Sequence, residues 1–197
     1  MTNLLAKRFG TSPRLELLSG EWLKQGMGAK TVKFDIGQGG LPPEVNWEDK
    51  AAAIALIESR HAKALASLLV WGDNELWDWS ECFDMVVEYL ALKMFDRCVV
   101  DGREAPRGSK HTLQELSSLV ARMTLHFELY DLWTIYTVEG RLLFSGIKMN
   151  DRTYSNYFLC YQRQMLNDLE ELVHCINNDI AKYRSNLAIS CELVESM

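Results

Sequence analysis

The sequence lacks the apolar runs and the glycine motifs that mark several common classes of protein. No stretch of about eighteen consecutive apolar residues occurs, so no membrane-spanning helix is expected. The first residues, MTNLLAKRFGTSPR, contain neither the apolar core nor the cleavage site of a signal peptide, which favours a cytoplasmic protein. The glycine-rich stretch GQGGLPP at 37–43 has no G-K-[ST], so it is interpreted as a loop that does not bind phosphate.

Paired cysteines and catalytic motifs are also missing. The five cysteines are odd in number, scattered and without any C-x-x-C spacing, so neither a disulfide framework nor a zinc site is expected. No serine, histidine or carboxylate forms a sequence-local catalytic set. The sequence therefore predicts a protein that is not an enzyme and that needs no cofactor. The cysteines are Cys82, Cys98, Cys160, Cys175 and Cys191.

Charge is unevenly distributed along a chain whose net charge is -6. Residues 1–33 hold six bases and two acids, a surplus of +4, whereas residues 34–101 hold thirteen acids and five bases, or -8. The field of the whole molecule repels phosphate, so any contact with nucleic acid has to be local.

Apolar residues recur at helical spacing along most of the chain, which predicts an all-α fold of five or six helices. One short extended segment is predicted near residues 31–36, where TVKFDI alternates between apolar and polar side chains. The expected helices cover about residues 13–26, 46–71, 73–100, 112–139 and 150–184, and a short helix could end near residue 145.

The polar stretch DGREAPRGSKH at 101–111 is the best candidate for a linker, because it contains two glycines and a proline. Thr112 and Glu115 follow it with the spacing of a capping box. The helices can form one bundle or two small lobes that meet at the linker. The expected parts are a basic arm at 1–46, a helical hairpin at 47–100, a helical lobe at 112–185 and a tail at 186–197.

Residues 146–158, GIKMNDRTYSNYF, have the pattern of the turn and second helix of a helix-turn-helix. Gly146 supplies the turn, Asn150 is a strong N-cap, and Asp151 suits the positive end of the helix dipole. The capped start of an ordinary core helix would show the same residues, so both interpretations stay open. The positions expected to be buried are Leu143, Ile147, Met149, Tyr154 and Tyr157.

The outward face of this second helix carries side chains that can bond phosphates or base edges. The stretch MNDRTYSNYF, followed by an amphipathic helix, resembles the S-x-R-T-Y-Y-x-Y recognition helix of sigma-region-4-like phage late transcription regulators. That group includes the ArpU/RinA-type activators and some antitermination proteins, and the resemblance covers about residues 141–180. It implies a DNA-binding regulator of phage or prophage type that acts through residues 141–160. The expected DNA contacts are Arg152, Thr153, Ser155 and Asn156, with Lys148 in the turn.

Two Glu-x-x-His pairs, Glu58–His61 and Glu171–His174, place a carboxylate and an imidazole one helical turn apart. Di-iron and di-manganese bundles use this unit twice. Glu58 and His61 lie on the apolar stripe of their predicted helix, whereas Glu171 and His174 are displaced by about 100° from the apolar face of theirs. A shared metal cage needs both pairs to face inward, so a di-metal enzyme is only the third hypothesis.

Tryptophans form a second candidate surface in the acidic middle of the chain. Trp71, Trp77 and Trp79 cluster around one predicted helix junction, with acidic residues among them. Such aromatic residues dominate the energetics of many protein interfaces, although a packed corner between two helices fits them equally well. A transcription regulator needs a surface of this kind to contact RNA polymerase. A helical adaptor or inhibitor would use it to bind a protein without binding DNA, which is the alternative hypothesis.

Overall fold

The computed structural model describes residues 47–71, 78–107, 109–130 and 132–195. The predicted basic arm at 1–46, with its helix and the extended segment at 31–36, lies outside these ranges. The described chain forms helices and no strand, so the all-α prediction is confirmed. Over the same ranges, no helix is both long enough and apolar enough to cross a membrane. The helices described are α1 Trp47–Ala55, α2 Arg60–Trp71, α3 Ser80–Val100, α4 Leu113–Tyr130, α5 Val138–Phe144, α6 Asp151–Tyr157 and α7 Leu159–Glu195.

One hydrophobic core joins all these helices into a single bundle. Leu90 before the predicted linker and Phe127 and Met165 after it are fully buried in the same core. Burial of each such side chain contributes about 1.5–3 kcal/mol. Helices α3 and α4 pack along each other, and α7 packs against α1, α2, α3 and α4. Asp84 near the start of α3 pairs with Arg122 in the second half of α4 at 2.7 Å, as an antiparallel hairpin requires.

A buried carboxylate ties α7 to α3. Asp168 accepts hydrogen bonds from Lys93 at 2.9 Å and from both terminal nitrogens of Arg97 at 2.6 and 2.7 Å. Burial raises the pKa of the Asp168 carboxyl, but the hydrogen bonds from Arg97 and Lys93 outweigh burial and hold that pKa below its usual value. The carboxylate is therefore charged at neutral pH and fixes the register of the two helices.

The segment predicted as a linker begins with a structured turn. Gly102 has a φ of +63°, and the N–H of Arg103 donates to the carbonyl oxygen of Cys98 at 2.7 Å, which closes the end of α3. The hydroxyl of buried Tyr161 donates to a carboxylate oxygen of Asp101 at 2.6 Å. These contacts attach the first residues of the segment to α7.

The predicted capping box is confirmed at the other end of this segment. The N–H of Thr112 donates to Glu115 Oε2 at 2.7 Å, and the N–H of Glu115 donates to Thr112 Oγ1 at 3.2 Å. The hydrogen bond from the Thr112 backbone lowers the pKa of the Glu115 carboxyl. The start of α4 is thus set by two reciprocal bonds, as the sequence pattern implies.

The helix predicted at 46–71 divides into α1 and α2. Ser59 Oγ accepts from the N–H of Ala62 at 3.3 Å, so it starts a separate helix. The N–H of Glu58 instead donates to Asp179 Oδ2 on α7, at 3.3 Å. The prediction of one continuous helix was wrong because a side-chain cap and a tertiary contact replace the helical hydrogen bonds at this point.

The start of the next helix also differs from its prediction near residues 73–74. Residues 72–77 lie outside the described ranges, but Asp78 and Trp79 are described and are not part of a helix. Asp78 Oδ1 accepts from the N–H of Ser80 at 2.9 Å, so α3 begins at Ser80. This local bond satisfies the first backbone N–H of α3, and the carbonyl oxygen of Trp79 accepts the first helical hydrogen bond, from the N–H of Phe83 at 2.9 Å.

The helix predicted at 150–184 is broken near its start and extends further at its end. Phe158, with φ -120° and ψ -19°, separates α6 from α7 and is buried. Helix α7 then continues to Glu195, because residues 159–195 contain neither glycine nor proline to end it. The residues of the predicted tail at 186–197 that the structure describes, 186–195, are part of α7.

Candidate nucleic-acid interface

The predicted helix-turn-helix corresponds to α5, a turn and α6. Thr137 Oγ1 accepts from the N–H of Gly140 at 3.2 Å and caps the first turn of α5. The sequence predicts that the preceding helix extends almost to Gly140, but α4 ends at Tyr130. Gly140 therefore lies inside a separate short helix, and the unit has a first helix of its own.

Gly146 forms the turn, as predicted, with a φ of +71° that a residue with a side chain adopts at a cost. Its N–H donates to the carbonyl oxygen of Leu143 at 3.1 Å, and the N–H of Ile147 donates to that of Leu142 at 2.9 Å. This pair of bonds is the Schellman arrangement, which ends a helix and reverses the chain. The connection at 145–150 is longer than the usual three to four residues or so of a helix-turn-helix.

Asn150 caps α6, which confirms the predicted start of the second helix. Its side-chain oxygen accepts from the N–H of Arg152 at 2.9 Å, and its backbone is extended. Tyr154, at the centre of α6, donates its buried hydroxyl to Gln162 Oε1 at 2.7 Å. Burial raises the pKa of the Tyr154 hydroxyl. This bond connects α6 to α7 across the break.

Two of the residues predicted to be buried in this unit are exposed. Leu143 is 82% exposed and Tyr157 is 47% exposed, so both predictions were wrong. Leu142 is the one buried residue of α5, and Leu143, the next residue, lies about 100° further around the helix. The prediction of burial is confirmed for Ile147 and Tyr154 and, in part, for Met149.

The residues predicted to contact DNA are accessible on α6 and its preceding turn. Four of the five are exposed, and Thr153 is half-buried beside them. By helical spacing the four on α6 share one side of that helix, and Tyr154 on the opposite side is in the core. The exposed ones are Lys148, Arg152, Ser155 and Asn156.

After Asp151, the exposed first residue of α6, exposed polar side chains continue onto α7 with no further acidic residue before Asp168. Residues 152–167 contain neither Asp nor Glu, although the whole chain carries a net charge of -6. The exposed polar side chains after the break, which the helix-turn-helix pattern did not predict, are Arg163, Gln164 and Asn167. The sequence does contain a signal for this surface, because no acidic residue occurs between Asp151 and Asp168. The result is a face with positive charge and amide groups.

An apolar groove lies beside the other end of this unit. It has a volume of about 220 Å³ between the start of α3, the second half of α4 and the end of α5. Trp79 and Phe144 line it and are partly exposed, whereas Phe83 lies at its buried side. The remaining lining residues are Leu119, Arg122, Met123, His126 and Ser145.

Aromatic contacts fix the α5 side of the groove. The ring of Phe144 stacks on His126 at 5.5 Å and meets Phe127 edge-on at 5.6 Å between centroids. Burial lowers the pKa of His126, which favours its neutral form. Arg122 lies over the ring of Phe83 at 5.5 Å, while its guanidinium pairs with Asp84. The groove wall is therefore mostly apolar and carries little uncompensated charge.

The three tryptophans predicted as a protein-binding surface have different positions. Trp79 lines the groove and is 37% exposed. Trp71 is half-buried at the end of α2, where it packs on the core. Trp77 lies outside the described residues. Of these three tryptophans, Trp79 is the one that the structure places at an accessible position in the groove.

The two Glu-x-x-His pairs do not meet in the bundle interior. His61 is half-buried and stacks on Tyr89 at 4.6 Å between centroids, while Glu58 is exposed. Burial lowers the pKa of His61. Glu171 and His174 are both exposed, as their displacement from the apolar face predicts. No group of three or more His, Cys, Asp or Glu in the described ranges is arranged to hold a metal ion.

Comparison with family models, curated proteins and solved structures gives no match for this chain.

Proposed function

We propose that the protein binds double-stranded DNA through α5, the turn at 145–150 and α6, as a phage- or prophage-type regulator of transcription. The observation that carries this proposal is the run of exposed polar side chains on α6 and early α7, where residues 152–167 contain no acidic residue although the chain is acidic overall. A DNA-binding surface on such a protein has to be local, and attraction to phosphate requires that bases outnumber acids there, as Lys148, Arg152 and Arg163 outnumber Asp151.

The side chains on this face match the chemistry of base and phosphate recognition. Arg152 can form two hydrogen bonds with a guanine edge, and Asn156 can do the same with an adenine edge. Lys148, in the turn, and Ser155 are suited to contacts with the phosphate backbone. The Asn150 cap holds the first turn of α6 in place, so the protein presents these groups on a formed helix.

Substitution of Arg152 by alanine tests this proposal most simply. If Arg152 reads a base, Arg152→Ala weakens binding to the preferred DNA by about 1–3 kcal/mol and relaxes specificity at that position. Arg60→Ala is the matched control, because Arg60 is also exposed but lies on α2. Binding can be measured by titration of labelled DNA, after selection of preferred sequences from a random pool. Equal affinities of the two variants and the wild type would reject α6 as the recognition helix.

A second function, that of an adaptor that binds a protein without DNA, is favoured by the groove. Trp79 and Phe144 are large apolar side chains left partly exposed around a cavity of about 220 Å³, as at the centres of many protein interfaces. A transcription regulator would use the same groove to contact RNA polymerase. DNA binding distinguishes the two functions, because only the regulator binds DNA.

The groove can be tested with purified bacterial RNA polymerase. Trp79→Ala should weaken that binding by about 2 kcal/mol or more if Trp79 is an interface anchor. Leu92→Ala is a suitable control, since Leu92 is an exposed apolar residue of α3 outside the groove. If Trp79→Ala leaves polymerase binding unchanged, the groove is not the polymerase-binding site.

A further inference from the structure

Arg103 lies beside the end of α6, although it belongs to the connection between α3 and α4. Its guanidinium carbon is 5.3 Å from the centroid of the Tyr157 ring. Tyr157 is the last residue of α6, and both side chains are exposed. The tertiary fold therefore places a cation from outside the helix-turn-helix beside the last residue of α6.

The backbone of Arg103 is fixed by the turn that ends α3. Its N–H donates to the carbonyl oxygen of Cys98 at 2.7 Å, directly after Gly102 with its positive φ. The buried hydroxyl of Tyr161 donates to Asp101 at 2.6 Å and holds this acidic neighbour against α7. The neighbouring Tyr161 side chain and, to a lesser degree, the Asp101 carboxylate raise the pKa of the Arg103 guanidinium. Glu104, the other acid next to Arg103, is exposed.

We infer that Arg103 is a phosphate-contacting residue that clamps the DNA backbone beside the DNA groove into which α6 inserts. The ring of Tyr157 is the platform that orients the Arg103 guanidinium. This inference rests on the proposed function. A guanidinium that stacks on a ring loses less conformational freedom on binding than a free side chain, and its planar fork fits a phosphate. A backbone contact from a second element also sets the position and orientation of a recognition helix on the duplex.

The salt dependence of DNA affinity measures such a contact directly. With a labelled duplex of mixed sequence, Arg103→Ala should lower the slope of log affinity against log salt by about one, which corresponds to about eightfold weaker binding at about 0.1 M salt. The loss should be similar for all sequences, because phosphates carry no sequence information. Arg107→Ala is the matched control, since Arg107 is exposed on the same connection and its removal changes the net charge equally. It should leave the slope unchanged.

Two substitutions of Tyr157 test its role as a platform. Tyr157→Ala removes the ring and should reproduce most of the effect of Arg103→Ala on the slope, whereas Tyr157→Phe keeps the ring and should behave as the wild type. A loss in Tyr157→Phe as large as that in Tyr157→Ala would overturn the platform role. Circular dichroism checks that each variant is folded, which the exposure of both side chains favours.

The outcomes separate this inference from the proposed function. If Arg152→Ala weakens binding while Arg103→Ala leaves affinity and slope unchanged, the phosphate clamp is wrong and the recognition helix stands. If Arg103→Ala and Arg107→Ala lower the slope equally, the effect is one of net charge and the clamp is again wrong. If the wild type does not bind DNA at all, both the function and the clamp are rejected.

Discussion

Trp79 at the start of α3 and Phe144 at the end of α5 line the same groove, although they belong to the two surfaces that the sequence suggests separately. The tryptophan belongs to the acidic aromatic region, and the phenylalanine belongs to the helix-turn-helix. Their proximity means that α5 has two roles, as the first helix of the unit and as one wall of the groove. A partner seated in the groove would therefore contact the DNA-binding unit itself.

Phe144 is expected to stabilise α5 against the bundle. Its ring contacts His126, Phe127 and Tyr136, but 55% of the residue is exposed, so Phe144→Ala should cost about 1–2 kcal/mol rather than the larger cost of a buried aromatic. Leu143→Ala, one position earlier, removes a side chain that is almost fully exposed and should change the free energy of unfolding by less than about 0.5 kcal/mol. Urea unfolding compares the two variants. Equal costs would show that the aromatic contacts contribute nothing to stability.

The two glycines of this unit should respond to alanine with opposite signs. Gly146 has a positive φ, so Gly146→Ala should destabilise the protein by about 1–2 kcal/mol although there is open space for the added carbon. Gly140 lies inside α5, where the added carbon would be in ordinary contact with Thr137 and Tyr136 at 3.4 and 3.5 Å. Gly140→Ala should be neutral or stabilise by up to about 1 kcal/mol through helix propensity. Destabilisation by both substitutions in thermal or urea unfolding would contradict this account.

The Asp168 network should contribute stability that depends on acid pH. The pKa of Asp168 in the folded protein is below its usual value of 3.8, so the folded state binds a proton less readily than the unfolded chain. Its contribution is present above about pH 4 and is lost as the pH falls through the folded-state pKa. Asp168→Asn should cost about 2 kcal/mol at neutral pH, because Lys93 and Arg97 are about one-third exposed and partly recover solvation.

Urea unfolding of this variant at several pH values checks both the size and the direction of the effect. The difference between Asp168→Asn and the wild type should shrink as the pH falls below about 4. A difference that stays constant down to acid pH would show that Asp168 stabilises the bundle through packing rather than charge.

His126 should make the groove side of the bundle less stable in mild acid. Burial lowers the pKa of His126 below its usual value of 6.5, so the unfolded chain takes up a proton first as the pH falls. Stability should begin to decrease below about pH 6.5 and level off beneath the folded-state pKa. His126→Gln should reduce this pH dependence without abolishing it, since burial also lowers the pKa of His61. An unchanged pH profile in the variant would exclude His126 as a source of the effect.

The sequence predicted well those features of the structure that depend on contacts between residues close together in the chain. The Thr112–Glu115 capping box, the Asn150 cap and the Gly146 turn each depend on hydrogen bonds within a few residues, so the sequence contains all the information they need. The periodic apolar residues likewise predicted most of the core. The exposure of Tyr157 was missed because helical spacing alone does not identify the last turn of a helix that breaks at Phe158.

Features that depend on tertiary contacts could not be predicted in the same way. The division between α1 and α2 involves Asp179, far along the chain, and the groove joins residues of three helices. Arg103 and Tyr157 meet only because α3 ends next to the start of α7. The sequence predicted the all-α class and several local caps, but it did not predict the breaks between helices or the neighbours of their ends.

The measurement that tests the central claim most directly is the affinity of the full chain for double-stranded DNA at several salt concentrations. Wild-type protein is expected to bind a preferred duplex with an affinity that falls as the salt concentration rises, because a local basic face releases counterions from the DNA. Arg152→Ala should lose that preference, and Arg60→Ala should keep it. Absence of DNA binding by the wild type even at low salt would contradict the proposed function and would leave α6 as a capped helix of the core.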